Sequence, residues 1–320
     1  MLNSALASLL RWETGGAETL VRLKSDPRYP KAIRTFAVSM LAEGDSDRLL
    51  DGLLKDAGRN AAALCAAHLH FSGGLTLPRL KALCASFGLV SPGRARALLL
   101  YLRYLGYVER AAHQRKGAPA LYVCTHRFLN TWRNHLRAVL DAVEVLEPAA
   151  ELIIARFDSP GVFETYSVEL CRNFLEAANL TDLERPFIRV FLHRNAGIQI
   201  VHSLIAANPD DKFPPLRPIP ISLSASARRF GVSRIHVRRL IDAACDEGLL
   251  TFSRHGTVTF TPAGRDALDD IFATQMARFL SAAAKTITAR PNLAAPGLPD
   301  RDLPPARRID SHHIAPAVFG

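Results

Sequence analysis

The chain has no run of about 18 apolar residues, which excludes a helical membrane span. No basic residue precedes the short apolar stretch within 1–12, so nothing there resembles a signal peptide. Cysteine is scarce and odd in number. Cys65, Cys84, Cys124, Cys171 and Cys245 are widely spaced within apolar runs, and no pair has the spacing of a zinc knuckle or a redox dithiol. Buried thiols in a reducing, cytoplasmic setting are expected. Also lacking are a Gly-rich phosphate loop with a following Lys, a GxGxxG, a nucleophile elbow and an HExxH. His68 and His70, two apart on an expected helix, point to different faces, which argues against a shared metal. His312 and His313 fall in an expected flexible tail. No catalytic residue, cofactor or metal site is expected, and the sequence gives no sign of an enzyme.

Lysine is scarce too. Of 40 Lys and Arg residues only 7 are Lys, a bias that a GC-rich genome would write whatever the function. Against 30 acidic residues the formal charge is +10, which favours an anionic partner. With 320 residues, 48% hydrophobic and 22% charged, the chain has the balance of a globular protein of one or two domains. The charge is uneven. Residues 70–125 hold eight basic residues and one acidic, 222–265 hold seven Arg and three acidic, and 141–185 hold three Arg and ten acidic. Uniform compositional bias does not produce that contrast.

An internal repeat explains the two cationic segments. At an offset of 143, Leu80 meets Leu223, Cys84 meets Ala227, Phe87 meets Phe230 and Gly88 meets Gly231. One residue is then gained in the first copy, and at 142 Ser91 meets Ser233, Ala95 Val237, Leu98 Leu240, Leu99 Ile241, Gly106 Gly248 and Val108 Leu250. Each copy continues through a short strand, a tip, a second strand and a Thr (Thr125, Thr261) that opens a long helix. Strands are expected near 107–111, 120–125, 249–253 and 257–261. Ser91-Pro92, Ser159-Pro160 and Thr261-Pro262 each read as a capping hydroxyl before a proline at the first helical position. Thr181 to Glu184 fits a capping box.

In the second copy, small Ala227, turning Gly231, capping Ser233 and the stripe Val237, Leu240, Ile241 and Ala244 form the pattern of a helix-turn-helix. An alternating hairpin with its tip at Arg254-His255-Gly256 follows and closes on Thr261-Pro262-Ala263-Gly264. Residues 220–285 resemble the winged helix-turn-helix of the MarR family of bacterial transcription regulators. There the Gly-Leu-Leu after the recognition helix and the Thr-Pro-Ala-Gly after the wing stand in the same order. The first copy departs more: its turn is one residue longer, and its wing, 113–119, is larger and more basic.

The expected fold class is mainly α with two small β-wings, tandem winged helix-turn-helix units on a helical scaffold with pseudo-two-fold symmetry. The expected divisions are a scaffold at 1–56, the first unit at 57–147, scaffold helices and the second unit at 148–285, and a Pro-rich flexible tail at 286–320. Helical stretches at 28–56, 126–146, 148–207 and 262–285 supply the scaffold. Base reading is expected from Arg94 and Arg96 in the first unit and from Arg234, His236, Arg238 and Arg239 in the second. Arg115, Lys116, Arg254 and His255 at the wing tips are expected on phosphate or in the minor groove. The expected partner is double-stranded DNA, bound as an imperfect palindrome by a fused pseudo-dimer, monomeric or itself a homodimer. The resemblance implies a repressor on the bacterial nucleoid, released by a small aromatic effector. Phe157, Phe163, Tyr166, Phe174, Phe187 and Phe191 are candidates for its pocket, or for plain core. A plasmid-type replication initiator with tandem winged helices is the alternative, and a winged-helix scaffold for protein contacts alone is a third.

Overall fold

The computed structural model describes residues 7–13, 16–88, 90–112, 117–176, 184–290 and 293. The fold is mainly helical with two small antiparallel sheets. After a helical turn at 7–10 come α1 (Ala17–Ser25), α2 (Tyr29–Ser46) and α3 (Arg48–Leu54). Then follow α4 (Ala57–Phe71), β1 (Leu75–Thr76), α5 (Leu77–Ser86), α6 (Pro92–Tyr104), β2 (Val108–Arg110), β3 (Leu121–Cys124) and α7 (His126–Leu146). A 3-10 turn and α8 (Glu151–Ile154) lead to α9 (Val162–Glu176), a π-turn at Ile188–Leu192 and α10 (Gly197–Ala206). The last run is β4 (Ile219–Pro220), α11 (Leu223–Phe230), α12 (Arg234–Asp246), β5 (Leu250–Phe252), β6 (Thr257–Phe260) and α13 (Pro262–Ala289).

From α4 to α7 and from α10 to α13 the order of elements is the same. Each sheet sets its last strand in the middle, β1-β3-β2 and β4-β6-β5. Val108 pairs with Cys124 in one and Leu250 with Phe260 in the other. The junctions match bond for bond. Ser91 Oγ accepts from Arg94 N and Ser233 Oγ from His236 N, capping α6 and α12. Thr125 Oγ1 donates to Gly106 O at 2.7 Å, and Thr261 Oγ1 to Gly248 O at 2.5 Å. Both glycines sit at φ near +70°, where a helix is turned into the hairpin. Val237, Leu240, Ile241 and Ala244 are buried along one stripe of α12, as Ala95, Leu98, Leu99 and Leu102 are along α6.

The halves interlock around one core. Helix α2 packs on α7 and α9 on α13, while α2 also packs on α10 and α9 on α4. Helices α2 and α9 thus each lie against the long last helix of their own half and against the helix that leads into the sheet of the other half, α10 and α4. Trp12, Phe36, Trp132, Phe163, Tyr166, Phe191, Phe272 and Phe279 are among the buried side chains. Glu147, itself buried, accepts hydrogen bonds from Ser8 Oγ, Arg11 Nη2 and Trp12 Nε1, which tie the start of the chain to the end of α7.

Several expectations need correction. Ser159-Pro160 opens no helix: it lies in a turn in which Ser159 N donates to Arg156 O, and α9 starts at Val162. The stretch 148–207 is broken into separate pieces, not one helical run. Helix α13 passes the expected end of the second unit at 285; Thr286 and Ile287 are buried, and Arg290 donates to Thr165 Oγ1 and Pro160 O. Leu293 is also buried, its carbonyl taking Arg156 Nη1. Two short strands, β1 and β4, were not expected. Thr181 of the capping box, and 294–320 with His312 and His313, lie outside the described residues.

Candidate nucleic-acid interface

The sequence places its candidate readers on α6, α12 and the hairpin tips. Among the described residues, Arg96, Arg234, Arg239 and Arg254 are exposed and make no side-chain hydrogen bond or ion pair. His255 is exposed beside Arg254 at the tip of the β5–β6 hairpin, where Ser253 Oγ accepts from His255 N and Thr257 N and Gly256 turns at φ 74°. Arg115 and Lys116 of the larger hairpin lie outside the described residues.

Two candidates are tied inward. Arg94 Nη2 meets Asp56 Oδ1 at 2.7 Å, and Asp56 is the buried residue that caps α4. His236 Nε2 is 2.7 Å from the Asn195 carbonyl oxygen, just ahead of α10. Arg94 and His236 are 142 residues apart and hold the third position of their helices; α4 and α10 hold matching places in the two runs. Helices α6 and α12 are thus moored at the same point of each to the start of the matching scaffold helix. The second unit has further moorings. Arg229 pairs with Asp45 at 2.7 Å, Arg48 Nη1 donates to Arg229 O, and Arg189 pairs with Glu247 at 2.6 Å.

Arg96 and Arg238, also 142 apart, both face outward. Arg238 has a bracket around it. Its Nε donates to Asp242 at 2.7 and 2.9 Å to the two carboxylate oxygens, and its guanidinium carbon stands 5.2 Å from the centre of the Phe252 ring on β5. Ile235, one turn before Arg239, is 64% exposed. Leu100 and Tyr104 are large hydrophobic residues exposed on α6. Asp242, Phe252, Ile235, Asp56 and Asn195 did not figure among the expected site residues. The i, i+4 spacing of Arg238 and Asp242 was a visible signal; the moorings, 38 and 41 residues apart in sequence, had none.

A cavity of about 270 Å³ lies in the scaffold, lined from both halves by residues including Phe36, Trp132, Phe174, Gln199, His202 and Phe279. Asp56 and the π-turn residues Ile188 and Leu192 also reach it, and α12 packs on that turn. Among the described residues Trp132 Nε1 and Gln199 Oε1 are buried without a hydrogen-bond partner. Gln199 Nε2 donates to Asp51 Oδ1, whose carboxyl is pushed up by burial. His202 stands between the Phe36 and Phe272 rings, and burial, aided by His135, lowers its pKa to about 3. Of the six aromatics expected at a pocket only Phe174 lines this one. Phe157, Phe163 and Tyr166 pack edge to face, and Phe187 against Phe191, as core.

Among the described residues no group of His, Cys, Asp and Glu is arranged to hold a metal ion. His70 Nδ1 accepts from Cys124 N, and burial lowers the pKa of both His70 and His68. No described helix is long and apolar enough to cross a membrane. No family model matches the chain, and no curated protein or solved structure is similar to it at a significant level.

Proposed function

We propose that the chain is a sequence-specific double-stranded DNA-binding transcription regulator, two winged helix-turn-helix units fused as a pseudo-dimer that reads an imperfect palindrome. The observation that carries this reading is the paired geometry of α6 and α12. Each is capped by a Ser at the same register, moored to the start of the matching scaffold helix, clasped to its wing by the same Thr–Gly bond, and left with an outward Arg at the same position. Outward arginines on a helix of that type suit guanine O6 and N7 in the major groove, and exposed Arg254 and His255 suit the backbone or minor groove. Arg96, Arg234, Arg238 and Arg239 are the base readers in this reading; Arg94 and His236 set the angle of their helices. The readers differ in sequence, which favours unequal half-sites.

Selection of bound duplexes from a random pool by the full chain tests the reading. Two unlike half-sites about one helical turn apart are expected. Iterated direct repeats would favour a replication initiator instead, and no enrichment at all would end the DNA reading. In the same reading a small aromatic effector acts in the central cavity, between the aromatic rings of Phe36, Trp132, Phe174 and Phe279 that line it. Asp56 lines the cavity and holds Arg94, so an occupant there touches the mooring of the first reader. A panel of phenols and aromatic amides should quench Trp132 and raise the thermal midpoint, and no stabilisation by any of them would end the effector reading.

A further inference from the structure

The two outward arginines sit in unlike settings. Arg238 is gripped on its Nε side by both oxygens of Asp242 and lies beside the Phe252 ring. Among the described residues no hydrogen bond reaches its two Nη groups. Those groups are the fork that matches guanine O6 and N7. A carboxylate behind the fork and a ring beside it fix a flexible side chain in one orientation before binding, so little freedom is lost on contact. Among the described residues Arg96 has neither support: the residue four further on is Leu100, and the position matching Phe252 is Arg110.

We propose that Asp242 is a positioning residue for base recognition: with Phe252 it aims the Arg238 fork at a guanine, so guanine is discriminated sharply in the second half-site and weakly in the first. This rests on the DNA reading proposed above. It also separates two roles that an acidic residue on a DNA-facing helix could have. As a mere surface charge Asp242 repels phosphate, and removing it strengthens binding to every sequence. As the support of Arg238, its removal lowers affinity for the cognate site alone.

The test uses the full chain, its pool-selected duplex and an unrelated duplex at one fixed salt concentration. In the cognate duplex the guanine facing α12 is replaced in turn by the other bases and by 7-deazaguanine, which lacks the N7 acceptor. The native chain should lose roughly 5- to 150-fold in affinity on replacement. Asp242→Asn, checked for an unchanged thermal midpoint, should discriminate less than about fivefold while binding the unrelated duplex as well as or better than the native chain. Arg96→Ala should leave the preference at the guanine facing α12 unchanged. If Asp242→Asn keeps the native discrimination, or tightens binding to all duplexes alike, the positioning role is overturned while the DNA reading stands. If no sequence is enriched from the pool, the DNA reading falls and the positioning role with it.

Discussion

At the scale of single residues, contact rather than backbone freedom dictates Gly264. A Cβ placed there would lie 1.9 Å from the Leu249 carbonyl oxygen, because the first turn of α13 presses against the strand entry. Gly264→Ala should therefore cost about 1–3 kcal/mol, the usual penalty of forcing atoms into a filled site. Urea unfolding measures it, and an unchanged midpoint would mean that α13 is free to shift. His202 sets a second expectation. Its pKa falls from 6.5 to about 3 on folding because its ring is buried, so below pH 6.5 the unfolded chain binds a proton that the folded chain does not. Stability then rises with pH through that window, and acid between about pH 6.5 and 3 removes up to roughly 5 kcal/mol. His202→Leu should flatten the difference between pH 7 and pH 4. An equal pH slope in the variant would place the acid sensitivity elsewhere.

At the scale of elements, the clasp between hairpin and helix is the repeated feature. Thr125 and Thr261 each donate a hydroxyl proton to a glycine carbonyl and accept a backbone N–H at the start of the next helix. Replacing either by Val removes both bonds at little change in volume, and about 1–2 kcal/mol should go with each. Thr→Ser at the same positions should retain most of it, as denaturant titration of the four variants will show. The parts of the clasp, a Thr cap, a turning Gly and a period of apolar residues, were legible from sequence because each depends on neighbours, whereas the bond from Thr to a Gly carbonyl 19 or 13 residues earlier was not. The four longer strands were legible for the same reason. β1 and β4 were not, since two residues carry no alternation and exist only by pairing with β3 and β6. Ser159-Pro160 misled because a capping dipeptide and a turn dipeptide use the same residues. Arg94 and His236 have the exposure pattern of readers in sequence, and only the fold brings Asp56 and the Asn195 carbonyl to them.

At the scale of the whole molecule, crosswise packing makes the halves interdependent. Helix α2 lies against α10 and α9 against α4, and Ala196 N donates to Lys55 O across the same junction. Separating 1–147 from 148–320 would bare the apolar faces of all four helices. The full chain should therefore unfold in one transition, coincident by near- and far-UV circular dichroism, despite carrying two similar units. Two resolved transitions would show the halves to be independent. The same interlock fixes the distance and angle between α6 and α12, as no flexible linker could. If both read DNA, the spacing of half-sites cannot be adjusted by the protein. Two base pairs inserted between them turn one half-site away by about 70°. Binding should then fall towards that of a single reader, by about 100-fold, because the second contact no longer counts as intramolecular. An insertion of ten base pairs restores the facing but not the distance and should stay weak. Undiminished affinity on either insertion would mean that only one of the two helices engages DNA.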